Sequence, residues 1–218
     1  MAKSITILLV DDHALLCDAL RRALDAETGF EVVDAVSDAR TAIERASELQ
    51  PDIVIMDIDM PGMDSFQASE RILEISKDTR LVFLSGYFHD QYIDAALRLE
   101  ARGYLSKGEP LDRIADSVRL VAQGRVVFSE EVQARIVVGP QRPTLATAMK
   151  TRTATLSPRE IQVLRYLAKG KTKKEIASLM ELSVKTVESH ADRIMRKTDV
   201  HDRVGLALLA VREGIIEA

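Results

Sequence analysis

The stretch that decides the fold runs from Ile53 to Ser65 and reads "IVIMDIDMPGMDS". It begins with a short apolar run that ends in a carboxylate, Asp57, and a Pro-Gly turn follows. An apolar run of this kind is typical of a strand covered on both faces in a parallel sheet, where the strand ends form the functional edge. We therefore predict a buried strand that presents Asp57 at the rim of a sheet.

The front of the chain repeats this pattern, because short apolar runs alternate with segments of helical spacing. The predicted strands are Ile5–Val10, Phe30–Val36, Ile53–Asp57, Leu81–Ser85 and Gly103–Leu105. The predicted helices between them are Leu15–Ala26, Ala39–Leu49, Phe66–Ile75, Tyr92–Leu99 and Leu111–Ala122. Five strand–helix units predict a doubly wound α/β domain over residues 1–123, with a five-stranded parallel sheet.

Charge and composition divide the chain into two parts. Residues 1–138 contain 15 Lys+Arg and 25 Asp+Glu, a net charge of −10, whereas residues 139–218 contain 15 and 9, a net charge of +6. A basic second half suggests a polyanionic partner. The segment from Gly139 to Thr155 has Pro, Gly, Thr and basic residues but no acids, which predicts a flexible linker. We place the linker, with one short helix, at residues 124–155.

Residues 156–218 show the signals of a small all-α domain. Ser157, Pro158 and Glu160 form a predicted capping box at the start of one helix, and Thr172 with Glu175 repeats it at the next. Ser183 is the predicted N-cap of a third helix, and a fourth follows near the chain end. Short helices with tight turns predict a compact helical domain.

Polar residues lie at or just past the ends of four predicted strands: Asp11, Asp12, Asp57, Ser85 and Lys107. If the first and third strands are neighbours, three carboxylates meet at one edge, and their repulsion calls for a cation. Oxygen ligands with open positions suit Mg²⁺. A carboxylate nucleophile with Mg²⁺, a hydroxyl and a lysine is the chemistry of phosphoryl transfer to aspartate.

The motifs "VDDH", "MDIDMPGMD", "LSG" and "GYLSK" follow one another at these strand ends, so residues 4–123 resemble the receiver domain of two-component response regulators, a flavodoxin-like fold. The resemblance implies that Asp57 is the phosphoacceptor. It also implies a Mg²⁺ site formed by Asp11, Asp12, Asp57 and the Asp59 carbonyl. It further implies that Ser85 is the switch hydroxyl, that Lys107 pairs with the phosphoryl group, and that Tyr104 is the aromatic switch. Ser65 and Gly86 depart from the family pattern, which has Gly and Ala there.

The motifs "LSPREIQVL", "GKTKKEIA", "LSVKTVESH" and "RIMRKTDVHDR" resemble the LuxR-type helix-turn-helix of NarL/FixJ-type response regulators. In the predicted helix Val184–Thr198, an apolar stripe lies opposite a polar stripe that can enter a major groove. The predicted phosphate contacts come from Thr172, Lys173, Lys185, Thr186 and Lys197, and the predicted base contacts from Lys185, Glu188 and Ser189.

These expectations describe a cytoplasmic regulator that a histidine kinase phosphorylates and that binds a double-stranded DNA operator as a homodimer. We expect no membrane partner, because no apolar run is long enough to span a bilayer. We expect no enzyme activity beyond Mg²⁺-dependent self-phosphorylation and autodephosphorylation at Asp57. None of His13, His89 and His201 shows metal-ligand spacing, so no histidine is assigned to the ion.

Two other classes remain open from the sequence. One is a phosphorylation-independent DNA-binding regulator whose receiver domain serves for dimerisation, which the complete set of acidic, hydroxyl and lysine residues argues against. The other is a phosphatase of the haloacid dehalogenase type, whose nucleophile is also an aspartate. "DIDMP" offers the required spacing of two acids, but it follows the third strand and the chain has no cap domain.

Overall fold

The structure is a computed structural model that describes residues 4–138, 143–146 and 152–216. Its front half is a parallel sheet with helices on both faces, in the strand order β2-β1-β3-β4-β5-β6. The strands are β1 (Ile5–Val10), β2 (Phe30–Val36), β3 (Ile53–Asp57), β4 (Arg80–Ser85), β5 (Gly103–Ser106) and β6 (Val127–Phe128). The helices are α1 (Ala14–Asp25), α2 (Ala39–Leu49), α3 (Ser65–Ile75), α4 (Asp90–Arg98) and α5 (Leu111–Ala122). The doubly wound fold is confirmed, and β1 and β3 are neighbours.

The sheet has six strands rather than the predicted five. Val127 and Phe128 pair in parallel with Gly103 and Tyr104, which covers the open edge of β5. An unpaired edge leaves backbone N–H and C=O groups without partners, so even two residues can be held there. A strand of two residues is too short to show a periodic pattern, so it fell within the predicted linker.

The rest of the predicted linker is partly ordered. It contains a short helix, α6 (Glu130–Gln133), and then an antiparallel pair of strands, β7 (Ile136–Val138) with β8 (Pro143–Leu145). The β8 strand packs against α4. Residues 139–142 and 147–151 of the predicted linker lie outside the described residues.

Two apolar layers hold the sheet between its helices. On one face, Leu20 and Leu24 of α1 and Val118 of α5 pack on the strands. On the other face, the rings of Phe66 and Phe83 lie with their centroids 4.9 Å apart. Burial of these side chains supplies the main favourable free energy of the fold, and it fixes the strand ends in place.

The back half consists of α7 (Pro158–Ala168), α8 (Lys173–Leu179), α9 (Val184–Thr198) and α10 (Arg203–Arg212). The capping boxes at Ser157 and Thr172 and the cap at Ser183 are present as predicted. The apolar stripe of α9 is buried in the domain, through Val187, Ala191, Ile194 and Thr198. The opposite face of α9 is therefore free to point outward.

None of the helices within the described parts of the chain is long and apolar enough to cross a bilayer.

Candidate functional site

Asp57 lies at the carboxyl end of β3, beside Asp11, which follows β1 in the neighbouring strand. Both carboxylates are buried, with 1% of Asp57 and 4% of Asp11 exposed. Lys107, just past the end of β5, places its Nζ 2.7 Å from Asp57 Oδ2 and 2.6 Å from Asp11 Oδ2. The topology therefore brings together three of the predicted groups from three separate strands.

The charges of this cluster depend on one another. Burial raises the pKa of Asp57 to about 6, Lys107 opposes that shift, and the Asp11 carboxylate adds to it. Burial lowers the pKa of Lys107, but Asp57 and Asp11 outweigh that effect and raise the pKa overall. Asp57 is thus a carboxylate whose ionised form needs a neighbouring positive charge.

The residues that could hold a cation are Asp11, Asp12, His13 and Asp57, whose ligand atoms all lie within 4.8 Å of one another. Three carboxylates, two of them buried, form an oxygen-rich set that fits a hard divalent cation such as Mg²⁺. The Asp59 backbone lies next to this set, because the Asp59 N–H donates to Asp57 Oδ1 at 3.1 Å.

His13 belongs to this cluster although its spacing in the sequence gave no reason to assign it. Its Nδ1 lies 3.2 Å from Asp11 Oδ1 and 3.1 Å from Asp12 Oδ1. The only signal in the sequence is that His13 directly follows the two acids. Its position relative to Asp57 depends on the pairing of β1 with β3, which spacing alone does not reveal.

The predicted switch residues Ser85 and Tyr104 meet at the backbone of Tyr87. Ser85 Oγ accepts a hydrogen bond from the Tyr87 N–H at 3.0 Å, and the Tyr104 hydroxyl donates to the Tyr87 carbonyl at 2.6 Å. Both side chains are fully buried, and burial raises the pKa of Tyr104. The loop after β4 therefore connects the two groups.

Ser65 has a structural explanation at the start of α3. Asp64 is the N-cap and accepts hydrogen bonds from the Phe66 and Gln67 N–H groups. The buried Ser65 hydroxyl donates to the Ile58 carbonyl at 3.1 Å and so ties the helix to the residue after Asp57. A glycine could not make this bond, so the departure from the family pattern closes the loop in a different way.

The same loop after Asp57 is the docking site of the helical domain. The Gly62 N–H donates to the Leu179 carbonyl at 2.8 Å, and Arg159 Nη2 donates to the Gly62 carbonyl at 2.9 Å. Gln162 Nε2 donates to the Met60 carbonyl at 3.0 Å. We call this contact between the loop and helices α7 and α8 the docking interface.

Arg165 of α7 is the most buried charge of the docking interface, with 1% exposed. It forms an ion pair with Asp59, donates to the Tyr92 hydroxyl at 2.8 Å and stacks on the Tyr87 ring, with 3.9 Å from Cζ to the ring centroid. Sequence reasoning missed it because a charged residue on a helix is usually solvated. The apolar neighbours of Arg165 in "VLRYLA" were the sequence feature that could have indicated its burial.

The outer face of α9 stays exposed while the domains are docked. A shallow surface cleft is lined by Lys185, Glu188, Ser189, Asp192, Arg193 and Arg196. Arg193 was not among the predicted DNA contacts, and its Nη2 donates to Ser189 Oγ at 3.1 Å. Its position one turn after Ser189 could have identified it. The receiver domain therefore does not mask this face.

Other predicted DNA contacts already have partners within the helical domain. Lys197 Nζ lies 2.6 Å from Glu160 Oε2 and 3.0 Å from the Thr155 carbonyl. Lys173 Nζ lies 3.3 Å from Glu188 Oε1, while Thr172 caps α8 and the Thr186 N–H donates to Ser183. Lys197 would have to leave its ion pair to reach a DNA phosphate.

Comparisons with known proteins agree with this arrangement. Residues 7–119 match the family described as response regulator receiver domain, and residues 154–210 match the bacterial regulatory proteins of the luxR family. Transcriptional regulatory protein LiaR of Bacillus subtilis is 31% identical over 212 residues, which is 97% of this chain and 99% of that protein. Response regulator UvrY of Escherichia coli is 31% identical over 216 residues, 98% of this chain and 97% of that protein.

A solved structure of the RcsB response regulator from Salmonella, bound to the promoter P1flhDC with the phosphomimetic BeF₃⁻, shares the fold. The TM-score is 0.66 at 22% identity, and the match covers 95% of this chain and 98% of that one. The two matched families account for both halves of the molecule. The chain therefore belongs to the response regulators, with a receiver domain followed by a luxR-type DNA-binding domain.

Proposed function

We propose that Asp57 accepts a phosphoryl group from a histidine kinase and that this modification switches dimerisation and DNA binding by the helical domain. The observation that carries the proposal is the position of Lys107, whose Nζ bridges the buried carboxylates of Asp57 and Asp11. This arrangement keeps a nucleophilic carboxylate ionised at the rim of the sheet, close to a hydroxyl on the neighbouring strand. The family is one of transcription regulators, so the chemistry serves a switch and not the turnover of a substrate.

In this proposal an Asp57 oxygen forms a bond to phosphorus while the bond from phosphorus to the donor nitrogen breaks. Lys107 donates hydrogen bonds to the transferred group, and Ser85 turns its hydroxyl toward it. Asp11, Asp12, Asp57 and the Asp59 carbonyl would hold Mg²⁺, which when bound neutralises charge on the phosphoryl oxygens. Tyr104, bonded to the same loop as Ser85, follows that movement.

The proposed DNA surface is the outer face of α9 with the start of α8. Lys185, Glu188 and Ser189 would contact base edges, and the phosphate contacts would come from Thr172, Lys173, Lys185, Thr186 and Lys197. The exposed cleft that includes Arg193 and Arg196 supports this role with two further positive charges. The RcsB structure, which contains a promoter, supports double-stranded DNA as the partner.

Assembly as a homodimer upon phosphorylation is part of the same proposal. The α10 helix exposes large apolar side chains at helical spacing, with 70% of Val204 and 62% of Leu208 exposed. Exposed apolar side chains at this density favour association, which removes them from water. Two copies would then present two α9 helices to paired half-sites.

The test of the proposal is phosphorylation of the full chain by acetyl phosphate with Mg²⁺, read by intact mass. The wild-type chain should gain one phosphoryl group, Asp57→Asn none, and the gain should raise affinity for an operator selected from random DNA. A wild-type chain that remains unlabelled while folded would overturn the proposal. Equal DNA affinity of labelled wild type and Asp57→Asn would instead favour the phosphorylation-independent regulator, with the receiver domain as a dimerisation module.

The DNA surface has a separate test. Lys185→Ala should weaken DNA binding and reduce the slope of log K against log salt by about one unit. Arg71→Ala is the matched control, because Arg71 lies exposed on α3 and pairs with Glu74 at 2.7 Å, away from α9. An unchanged affinity and salt slope in Lys185→Ala would remove this residue from the interface.

A further inference from the structure

We propose that Arg165, a side chain of the DNA-binding domain, is a positioning residue for phosphorylation of Asp57 in the receiver domain. While docked, it holds Asp59 and Tyr87 in an arrangement that slows phosphoryl transfer to Asp57. This inference rests on the proposed role of Asp57 as phosphoacceptor. It adds that the two domains share one site, since α7 contributes a residue that controls how readily the receiver reacts.

The burial of Arg165 shows that the receiver has a site built for it. A guanidinium cannot stay buried without partners, because loss of hydration costs more than packing returns. The receiver supplies a carboxylate from Asp59, a hydroxyl from Tyr92 and an aromatic face from Tyr87. An arginine suits this set because its planar group can pair, donate and stack at the same time.

Two of these three partners are one step away from a reacting group. Asp59 is bonded through its N–H to Asp57 Oδ1. The Tyr87 N–H donates to Ser85 Oγ. Arg165 therefore contacts the side chains of the two residues, Asp59 and Tyr87, whose backbone N–H groups bond to Asp57 and Ser85.

The docked arrangement opposes the movement that phosphorylation requires. Tyr87 is fixed at three points: its N–H by Ser85, its carbonyl by Tyr104, and its ring by Arg165. For Ser85 to turn to a phosphoryl group that carries about −1.5 to −2 charges, the loop must move, and Arg165 must lose its stacking surface.

Phosphorylation should then proceed mainly from the undocked population, and its rate should scale with that fraction. Loss of Arg165 enlarges this fraction and also frees Asp59 and Tyr87 in the chains that stay docked, so it speeds the gain of the phosphoryl group more than the loss of another docking contact. The phosphorylated chain is already undocked, so the loss of the group by hydrolysis should not depend on Arg165. This asymmetry separates a positioning role from a general loss of structure, which would change both rates.

The experiment uses the full chain and acetyl phosphate, with initial labelling and later dephosphorylation measured by intact mass. Arg165→Ala should raise the initial labelling rate about five- to thirty-fold and leave the dephosphorylation rate unchanged. Arg165→Lys keeps the charge but not the planar group, so its rate should fall between those of wild type and alanine. Arg71→Ala, an exposed arginine outside the docking interface, should label at the wild-type rate.

A second variant protects the test against loss of folding in Arg165→Ala. Tyr92→Phe removes only the hydroxyl that accepts from Arg165, and it should raise the labelling rate in the same direction by a smaller factor. Unchanged labelling in both variants, or an equal rise in labelling and dephosphorylation, would overturn the inference while leaving Asp57 as phosphoacceptor. Arg159 of the docking interface donates to the carbonyls of Gly62 and Met180 and to the Gln162 side chain, so Arg159→Ala should raise the labelling rate less than Arg165→Ala. A rise in Arg159→Ala as large as that in Arg165→Ala would assign the effect to docking in general and also overturn the inference. A folded wild-type chain without any label would overturn the proposed function and this inference together.

Discussion

The charges around Asp57 and those on the outer face of α9 stand in opposite environments. Asp57 and Asp11 are buried, Lys107 is partly buried, and the three share contacts, so each side chain affects the charge of the other two. On α9 the pair of Glu188 with Lys173 is about half exposed. Buried charges are costly to separate, whereas solvated ones are screened and contribute little to stability. The receiver site should therefore respond strongly to single changes, and the α9 face should respond mainly in DNA binding.

The sharpest test of this contrast compares two lysines. Lys107→Ala leaves Asp57 and Asp11 facing each other without the positive charge of Lys107. In the proposed function it also removes a donor to the phosphoryl group. Labelling by acetyl phosphate should fall about 10²- to 10³-fold. Lys173→Ala, which removes an exposed ion pair, should label normally and change the free energy of unfolding by less than about 1 kcal/mol. Wild-type labelling in Lys107→Ala would contradict the contrast.

Within α9, substitutions on the buried face should lower stability more than substitutions on the exposed face. Ile194→Ala empties a fully buried position and should lower the free energy of unfolding by about 2–5 kcal/mol. Asp192→Ala, on the exposed face, should stay within about 0.5 kcal/mol. Urea unfolding followed by circular dichroism would measure both. Comparable losses of unfolding free energy in the two variants would mean that the outer face of α9 is packed and not exposed.

A smaller effect is expected at Ser65, the residue that departs from the family pattern. Ser65→Ala removes a buried hydroxyl and leaves the Ile58 carbonyl without that donor, which should cost about 1–3 kcal/mol. Ser189→Ala, on the exposed face of α9, is the matched change and should be nearly neutral. A Ser65→Ala chain as stable as wild type would show that the loop closes without this bond.

The mildest effect concerns pH and His89, at the start of α4 beside the docking interface. Burial, followed by the charges of Arg165 and Arg135, lowers the pKa of His89 to about 4. An unfolded chain binds a proton to this histidine near its ordinary value of about 6.5, so acid favours the unfolded state. The stabilising contribution of neutral His89 to the free energy of unfolding is fully present above about pH 6.5 and is lost as the pH falls toward about 4.

The measurement is the melting temperature of wild type and His89→Gln at about pH 7 and about pH 5. Wild type should lose more stability on acidification than the variant, which has no imidazole to protonate. Carboxylates affect both chains alike, so the difference isolates His89. Equal losses in both chains would show that His89 is not held neutral by its surroundings.

Much of the molecule follows from local patterns in the chain. The strand that ends in Asp57, the bounds of α9 and the three helix caps agree with prediction, because apolar periodicity and capping chemistry act over a few residues. The periodic patterns do not show that β1 and β3 are neighbours. The predicted meeting of the acids depends on that pairing, and the family motifs imply it. The strand β6 was not predicted, because an edge strand of two residues is too short to show a periodic pattern.

Sequence alone determined the domain types, the candidate phosphoacceptor and the helix that can face DNA, since each is encoded by residue type at short spacing. Tertiary structure alone decided which distant groups share a partner. The structure places His13 in the acidic cluster, pairs Lys197 with Glu160, and buries Arg165 against the receiver domain beside Asp59. The proximity of these residues depends on strand order for His13, on the packing of α7 against α9 for Lys197, and on domain docking for Arg165. The cost or benefit of each contact depends on burial, which a local sequence pattern does not reveal.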